Sequence, residues 1–373
     1  MDEKRDKKIV IIGAGPIGCY TAQVLKTYGY HPILVEEHTQ LGRPLHCTGL
    51  IGEKVFFEKR PFNIKTSSIL NTIDGAVIHY DSQSFVIKRE KVAYVVDREK
   101  FDKELGSGLN ILYKNKFLGI KKDKRSYIVQ TDKNHLYADI VIGADGANSS
   151  LRKMLNPQAN DIKFYKGLQL RIQTKPRHKN FVEVYLKKPS FFWIVPEQED
   201  IVRLGTISEN PSQQLKEFLR EIKIKGKILN RFGGIVSIGI CKYTVKENVA
   251  IVGDAACQLK PISYGGIYFG LKSASLLCDC IKEGRLSAYD SLWKQGLGRE
   301  IKIGLVVRQI YHQLNYDELK KMFELLRSQK DLIEKIGDFE NHSKLFLELF
   351  KRPQIYPHLA SLFKIFLSKI INE

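Results

Sequence analysis

The chain has 373 residues, enough for two or three structural units with a sizeable core. Its hydrophobic content of 43% is ordinary for a globular protein, but 60 Lys and Arg against 41 Asp and Glu leave a formal charge of +19. That imbalance suits an anionic membrane surface, an acidic protein partner or simply scattered solvated lysines; with no zinc-finger spacing and no RNP-like run, a nucleic-acid partner is not expected. Residues 1–8 are charged and lack an apolar signal core, and no run of 18 apolar residues occurs, so neither secretion nor a spanning helix is expected. Six Cys in a chain this long do not form a disulfide scaffold. Cys278-Asp279-Cys280 sits in a helical pattern without a second pair or a nearby His, so buried thiols are expected there and no metal. A reducing, cytoplasmic compartment follows.

Residues 8–12 read as a short buried strand, and residues 19–28 have helical spacing, with Ala22 and Leu25 on one face. Gly29 ends that helix and residues 32–36 supply the next strand. Residues 76–80, 84–88 and 93–96 alternate like antiparallel strands, and residues 111–137 add further strands and turns. Residues 138–143 form an apolar strand that ends in Ala144-Asp145-Gly146. Residues 163–207 are strand-rich, residues 249–253 give a third apolar strand, and a glycine-rich loop leads into a helix over 267–281. From Arg299 onward the pattern is helical. The chain thus leaves its nucleotide-binding fold twice to build a second sheet. Residues 1–70, 97–155 and 246–298 are expected to form one domain, residues 71–96 and 156–245 a sheet domain, and residues 299–373 a helical C-terminal region.

Gly13-Ala14-Gly15-Pro16-Ile17-Gly18 lies between a strand and a helix, the context that a dinucleotide turn needs. Gly13 permits the tight turn, Gly15 lets the backbone approach a pyrophosphate, and Gly18 lets helix and strand pack closely. The helix N-terminus then faces the phosphate charge. An acid at the end of the second strand should hold the ribose hydroxyls. Glu36 stands there, with Glu37 as the neighbouring alternative.

Three later segments resemble those of glutathione-reductase-type flavoproteins. Val96-Asp97-Arg98, followed by Phe101-Asp102, is similar to the segment whose Arg reaches the flavin's ribityl–phosphate region. Asp145-Gly146, with Ser149 and Arg152, resembles the second fingerprint. Gly253-Asp254-Ala255-Ala256 resembles the third, whose Asp binds the ribityl chain; a carboxylate at a strand end offers two acceptors to sugar hydroxyls. The resemblance implies FAD as cofactor and a p-hydroxybenzoate-hydroxylase-like α/β fold, with an inserted mixed or antiparallel sheet domain and a helical C-terminus.

Within that superfamily the chain resembles the geranylgeranyl reductase family, which saturates isoprenoid chains. The loop from Gly42 to Gly49, carrying Arg43, Pro44 and Cys47, is similar to that family's Cys loop. Phe191, Trp193 and Pro196 resemble its substrate-pocket motif, with Phe191 for a Tyr, Val195 for a Phe and Glu197 for a Lys. Pro261 and Gly265-Gly266-Ile267 resemble its loop beside the flavin ring, with Tyr264 in place of the first Gly. The chain is short for the family, and the shortening is expected in its C-terminal part. The resemblance implies hydride transfer from reduced flavin to geranylgeranyl groups, those of archaeal-type ether lipids being the foremost candidates. It implies a greasy pocket lined by the aromatics and a proton donor among Cys47, Tyr264, His46 and a flavin-bound water. Cys47 serves equally as a small packed loop residue, and Phe192 equally as sheet core. The electron donor, ferredoxin or NADPH, is not readable. Leu359, Leu362, Phe363, Phe366, Leu367 and Ile370 take helical spacing and suit either packing on the domain or attachment to the inner face of the membrane. The rival readings are an FAD monooxygenase and an electron-transfer flavoprotein acting on quinone.

Overall fold

The computed structural model describes residues 7–58, 64–157 and 161–352. Its first strand, Ile9–Ile12, is an unbroken β-branched run buried on both faces, which suits the middle of a parallel sheet. It pairs in parallel with Ile33–Val35 on one side and Ile140–Gly143 on the other. Asn110–Leu112 and Val249–Ile251 extend this sheet outward in parallel, and Val245–Lys246 closes one edge antiparallel. Helices Pro16–Thr27 and Ile267–Lys282 pack together over it, with Cys278 and Cys280 buried between apolar neighbours. A three-stranded sheet, Phe117–Asp123, Ser126–Thr131 and His135–Ala138, packs on the other face, its Tyr127, Val129 and Ala138 clustering with Val10, Ile12 and Val141.

The second large sheet has eight strands in the order Lys227–Ile238, Lys163–Gln173, Ile201–Ser208, Phe192–Gln198, Val182–Tyr185, Ile69–Tyr80, Gln83–Val96 and Leu50–Gly52. All neighbours are antiparallel except Val182–Tyr185 with Ile69–Tyr80. Alternation divides it into two faces. One buries Leu170, Phe192, Ile194 and Leu204 beneath Leu215 and Phe218 of helix Pro211–Ile222. The other carries Ile73, Trp193 and Val195, with Tyr264 of the nucleotide-binding part packed against it.

Two details differ from the expected strands. The alternating stretches at 84–88 and 93–96 are the two ends of one strand, Gln83–Val96. The polar run Lys88-Arg89-Glu90-Lys91 hides their continuity, and the ladder slips there opposite Ile73–Gly75. Leu50–Gly52, just after the Cys47 loop, joins the edge of this sheet through Gly52↔Ala93.

Helices Leu297–Gln313, Tyr316–Ser328, Lys330–Ile336 and Ser343–Phe350 follow. Asn315 and Glu318 form a reciprocal capping box at the start of the second of these. Leu319 and Phe323 pack on Tyr80 and Phe85 of the large sheet. Residues 359–370, with the expected amphipathic pattern, lie outside the described residues. No helix among the described residues is long and apolar enough to cross a membrane.

Helix Tyr289–Gln295 buttresses the nucleotide-binding part. Trp293 is 1% exposed and its Nε1 donates to Thr244 Oγ1 at 2.8 Å. Buried Tyr289 accepts from Gln258 Nε2, and Gln258 Oε1 in turn accepts the Gly253 N–H, both at 2.8 Å. Trp293→Ala should therefore cost about 3–5 kcal/mol of stability, read from the denaturation midpoint. Trp293→Phe, which keeps most of the ring volume, should cost clearly less; equal losses would contradict a packing role.

Candidate FAD and substrate site

The glycine turn separates two kinds of requirement. Gly13 has φ 95°, and a Cβ there would strike the Ala144 carbonyl. A Cβ on Gly18 would collide with the Gly13 carbonyl. These two glycines are fixed by the packing of helix on strand. Gly15 is different: a Cβ there meets nothing within 4 Å, so its small size leaves open space in front of the helix. Pro16 opens that helix, whose N-cap, Gly15, makes no side-chain cap. The first N–H groups are therefore free to face an anion. Glu36 is buried at the end of the second strand; its Oε2 accepts the Ala14 N–H and its Oε1 the His38 N–H, each at 2.9 Å. Glu37 turns to the exterior. The structure thus brings Glu36, not Glu37, to the turn.

The second and third fingerprints are stapled together by Arg152. It donates to the carbonyls of Asp254 and Ala255, each at 3.2 Å, and to that of Ala147. Asp145 caps the helix Ser150–Leu155 through Oδ2, while its buried Oδ1 has no partner among the described residues. Asp254 is half-buried, and no hydrogen bond to its carboxyl occurs among the described residues. Burial pushes its pKa up, against the nearby charges of Arg98 and Arg152. A Cβ on Gly266 would strike Asp254 Oδ1, so Gly266 makes room for the carboxyl at the uncapped start of helix Ile267–Lys282. Gly265 precedes it and Ile267 opens the helix; Gly146 borders open space and Ala255 is buried. Bare helix N-termini for a diphosphate and a ring edge, an acid at the second strand and an orphaned carboxyl for sugar hydroxyls together fit FAD.

Arg98 follows the N-cap Asp97 and pairs with Asp102 at 3.0 Å. Cys47 lies beside its guanidinium. The Cys47 loop must approach closely: a Cβ on Gly42 would meet Glu99 Cα at 2.6 Å, and one on Gly49 would meet Arg203 Nη1 at 2.6 Å. Arg43, preceding Pro44, turns outward onto Glu99 at 2.6 Å and is half exposed. His46 rests its Nδ1 against the Gly233 carbonyl at 3.1 Å.

Sequence reasoning missed what holds this loop. Glu197, noticed only as a departure from a Lys, is 2% exposed and accepts from Arg171 at 2.7 Å and from Arg203 at 2.8 Å. Arg203 donates onward to the carbonyls of Thr48 and Val96. Thr48 Oγ1 also donates to Gln169 at 2.5 Å. Burial pushes the Glu197 carboxyl up, but the hydrogen bond from Arg171 and the charge and hydrogen bond of Arg203 outweigh it, and its pKa lies below the ordinary value. Two arginines facing each other in the register Arg171↔Arg203 require an acid between them, yet that register is not written in either strand alone.

The aromatic motif splits across the sheet. Phe192 stacks on Phe218 at 4.1 Å on the helix-covered face. Trp193, Val195 and Phe191 share the opposite face, and Pro196 alternates away from them. The Trp193 indole lies over Gly205, and its buried Nε1 has no partner among the described residues. Tyr264, with φ 61° where glycine is the usual choice, stacks on Phe191 at 5.9 Å. Its hydroxyl accepts from Arg308 Nη1 at 2.7 Å. Phe191, Trp193 and Tyr264 are thus brought together; Cys47 stands apart from them, beside Arg98.

Two substitutions separate these roles. Gly15→Val should leave the fold intact and abolish FAD retention, whereas Gly18→Val should lower the melting temperature even without FAD. Equal melting losses would refute the division. Glu197→Ala should cost about 3 kcal/mol by leaving the buried Arg203 and the half-buried Arg171 without their carboxylate. It should also speed alkylation of Cys47, the half-buried thiol among five buried ones; an unchanged alkylation rate would show that the network does not hold the loop.

Residues 10–170 match the pyridine nucleotide-disulphide oxidoreductase family. An uncharacterized protein of Methanocaldococcus jannaschii is 33% identical, covering 93% of this chain and 96% of its own. A digeranylgeranylglycerophospholipid reductase of Methanococcus aeolicus is 27% identical, covering 87% of this chain and 92% of its own. A geranylgeranyl bacteriochlorophyll reductase-like protein of Thermoplasma acidophilum shares the fold with a TM-score of 0.81 at 22% identity, over 95% of this chain and 99% of that one. With a flavin-type nucleotide fold in front and reductase-named archaeal relatives matching most of its length, the chain is an FAD-type oxidoreductase similar to the geranylgeranyl reductases.

Proposed function

We propose that the protein saturates carbon–carbon double bonds of isoprenoid chains, foremost the geranylgeranyl groups of archaeal-type ether lipids. The observation that carries this reading is the apolar face of Phe191, Trp193 and Val195 set against Tyr264, one residue before the glycine pair that opens the second uncapped helix. The reductase names of the archaeal relatives agree with it. FAD, when bound and reduced by two electrons, would supply a hydride to one carbon of the double bond. The protein's own tasks are to hold the chain, exclude water and deliver a proton to the other carbon.

An unactivated alkene offers nothing to hydrogen-bond, so the aromatic face binds it by apolar contact alone. Dry walls also protect positive charge that develops on carbon. Tyr264 is our first proton donor: because its oxygen accepts from Arg308, its own O–H is directed elsewhere. Cys47, beside Arg98, is the second. Electrons arrive from ferredoxin or NADPH, and the charge of +19 favours an acidic protein or an anionic membrane surface as the docking partner.

With dithionite as electron source and oxygen excluded, geranylgeranyl lipid should gain two hydrogens for each bond reduced. Trp193→Ala should keep its full flavin content and lose about tenfold or more in turnover. Unchanged turnover would place Trp193 in the sheet core and remove the main support for this substrate.

A further inference from the structure

Residues 337–342 link helix Lys330–Ile336 to helix Ser343–Phe350 and cross one end of the apolar face. This strap is fastened at several points. Lys54 Nζ pairs with Asp338 at 2.5 Å, and Lys260 Nζ with Glu340 at 2.9 Å. Lys260 and Glu340 are only 5% and 3% exposed. Lys260 Nζ also donates to the Phe339 carbonyl at 2.7 Å and lies 4.2 Å from the Phe339 ring centroid. Arg89 donates to the Gly337 carbonyl.

These ties fix where the Phe339 ring goes. It packs against the cluster that holds Trp193 and Val195, as do Phe191 and Tyr264. Its edge lies where a Cβ on Gly52 would come within 2.8 Å. Cavities of about 10 Å³ flank the strap, one beside Val92 and Phe339 and the other beside Pro261 and His342. Each has the volume of about one water, far below that of a prenyl unit.

We infer that Phe339 is the fixed end wall of the prenyl site, and that its bulk sets the length of chain the enzyme accepts. The inference rests on the isoprenoid reading above. A wall is favoured over a gate because lifting the strap would leave Lys260 and Glu340 as unpaired buried charges. The wall is also tied to the flavin-side loop: the Lys260 N–H donates to the Gly265 carbonyl and the Tyr264 N–H to the Lys260 carbonyl. Chain depth and the position of Tyr264 are therefore set by one clamp.

The test measures relative kcat/KM for farnesyl, geranylgeranyl and geranylfarnesyl compounds in detergent, with dithionite as reductant and products read by mass. Phe339→Ala should raise the geranylfarnesyl-to-geranylgeranyl ratio about tenfold, since a methylene or more of pocket length carries discrimination of that order. Phe339→Trp should shift preference toward farnesyl, and Phe339→Leu should fall between wild type and Ala. If the Ala variant fails to load FAD, the Leu and Trp variants carry the comparison. FAD-loaded variants that all keep the wild-type ratio would overturn the wall. A wild-type enzyme that reduces none of the three compounds would instead overturn the isoprenoid reading, and the wall with it.

Discussion

Two helices begin almost on top of one another at the ends of the parallel strands, and the site depends on that closeness. Gly18 sits against the Gly13 carbonyl, and a Cβ on Gly253 or Gly270 would press on Ile17 at 3.1 Å and 2.6 Å. Side chains at these places would push the helices apart. With hydrogens there, two bare helix N-termini point into one crevice, one after Gly15 and one after Gly266. Each gathers partial positive charge where a dinucleotide carries phosphate and polar ring edge. Glu36 and Asp254, at the ends of strands in the same sheet, place carboxyl oxygens there that suit sugar hydroxyls.

The second sheet meets this crevice with the face that its own helix does not cover. Phe192 goes to helix Pro211–Ile222 and Trp193 to the face against which Tyr264 packs, so adjacent residues turn to the core and to the candidate pocket respectively. The Glu197 network joins the two parts. It gathers charges from neighbouring strands and passes them through Arg203 to the Cys47 loop, where a single salt bridge at the surface would contribute little. Buried networks of this kind earn specificity of arrangement more than stability, and here the arrangement is a loop held beside Arg98.

Much of this was legible from the chain because the signals are local. A β-branched run, a glycine turn and an acid at the next strand end specify the nucleotide crevice within about one βαβ unit. Alternation separated Phe192 from Trp193, as the two clusters show. What escaped is held by contacts distant in sequence. Glu197 meets Arg171 and Arg203 only in the correct strand register, and Lys260 meets Glu340 only after the C-terminal helices have wrapped the sheet. The polar run at 88–91 concealed a continuous strand because exposure there, rather than a turn, sets the composition. Strand alternation favours Glu36 over Glu37, and Glu36 is the one buried beside the turn while Glu37 is exposed.

In the proposed reaction, electrons leave the flavin for carbon. The most direct measurement is a single anaerobic turnover: enzyme reduced with dithionite, excess reductant removed, then mixed rapidly with geranylgeranyl lipid while flavin absorbance and lipid mass are followed together. Flavin should reoxidise in step with appearance of the saturated bond, in equal amounts and without oxygen. Flavin that stays reduced until oxygen is admitted, with lipid mass unchanged or increased by an oxygen atom, would contradict it and favour a monooxygenase.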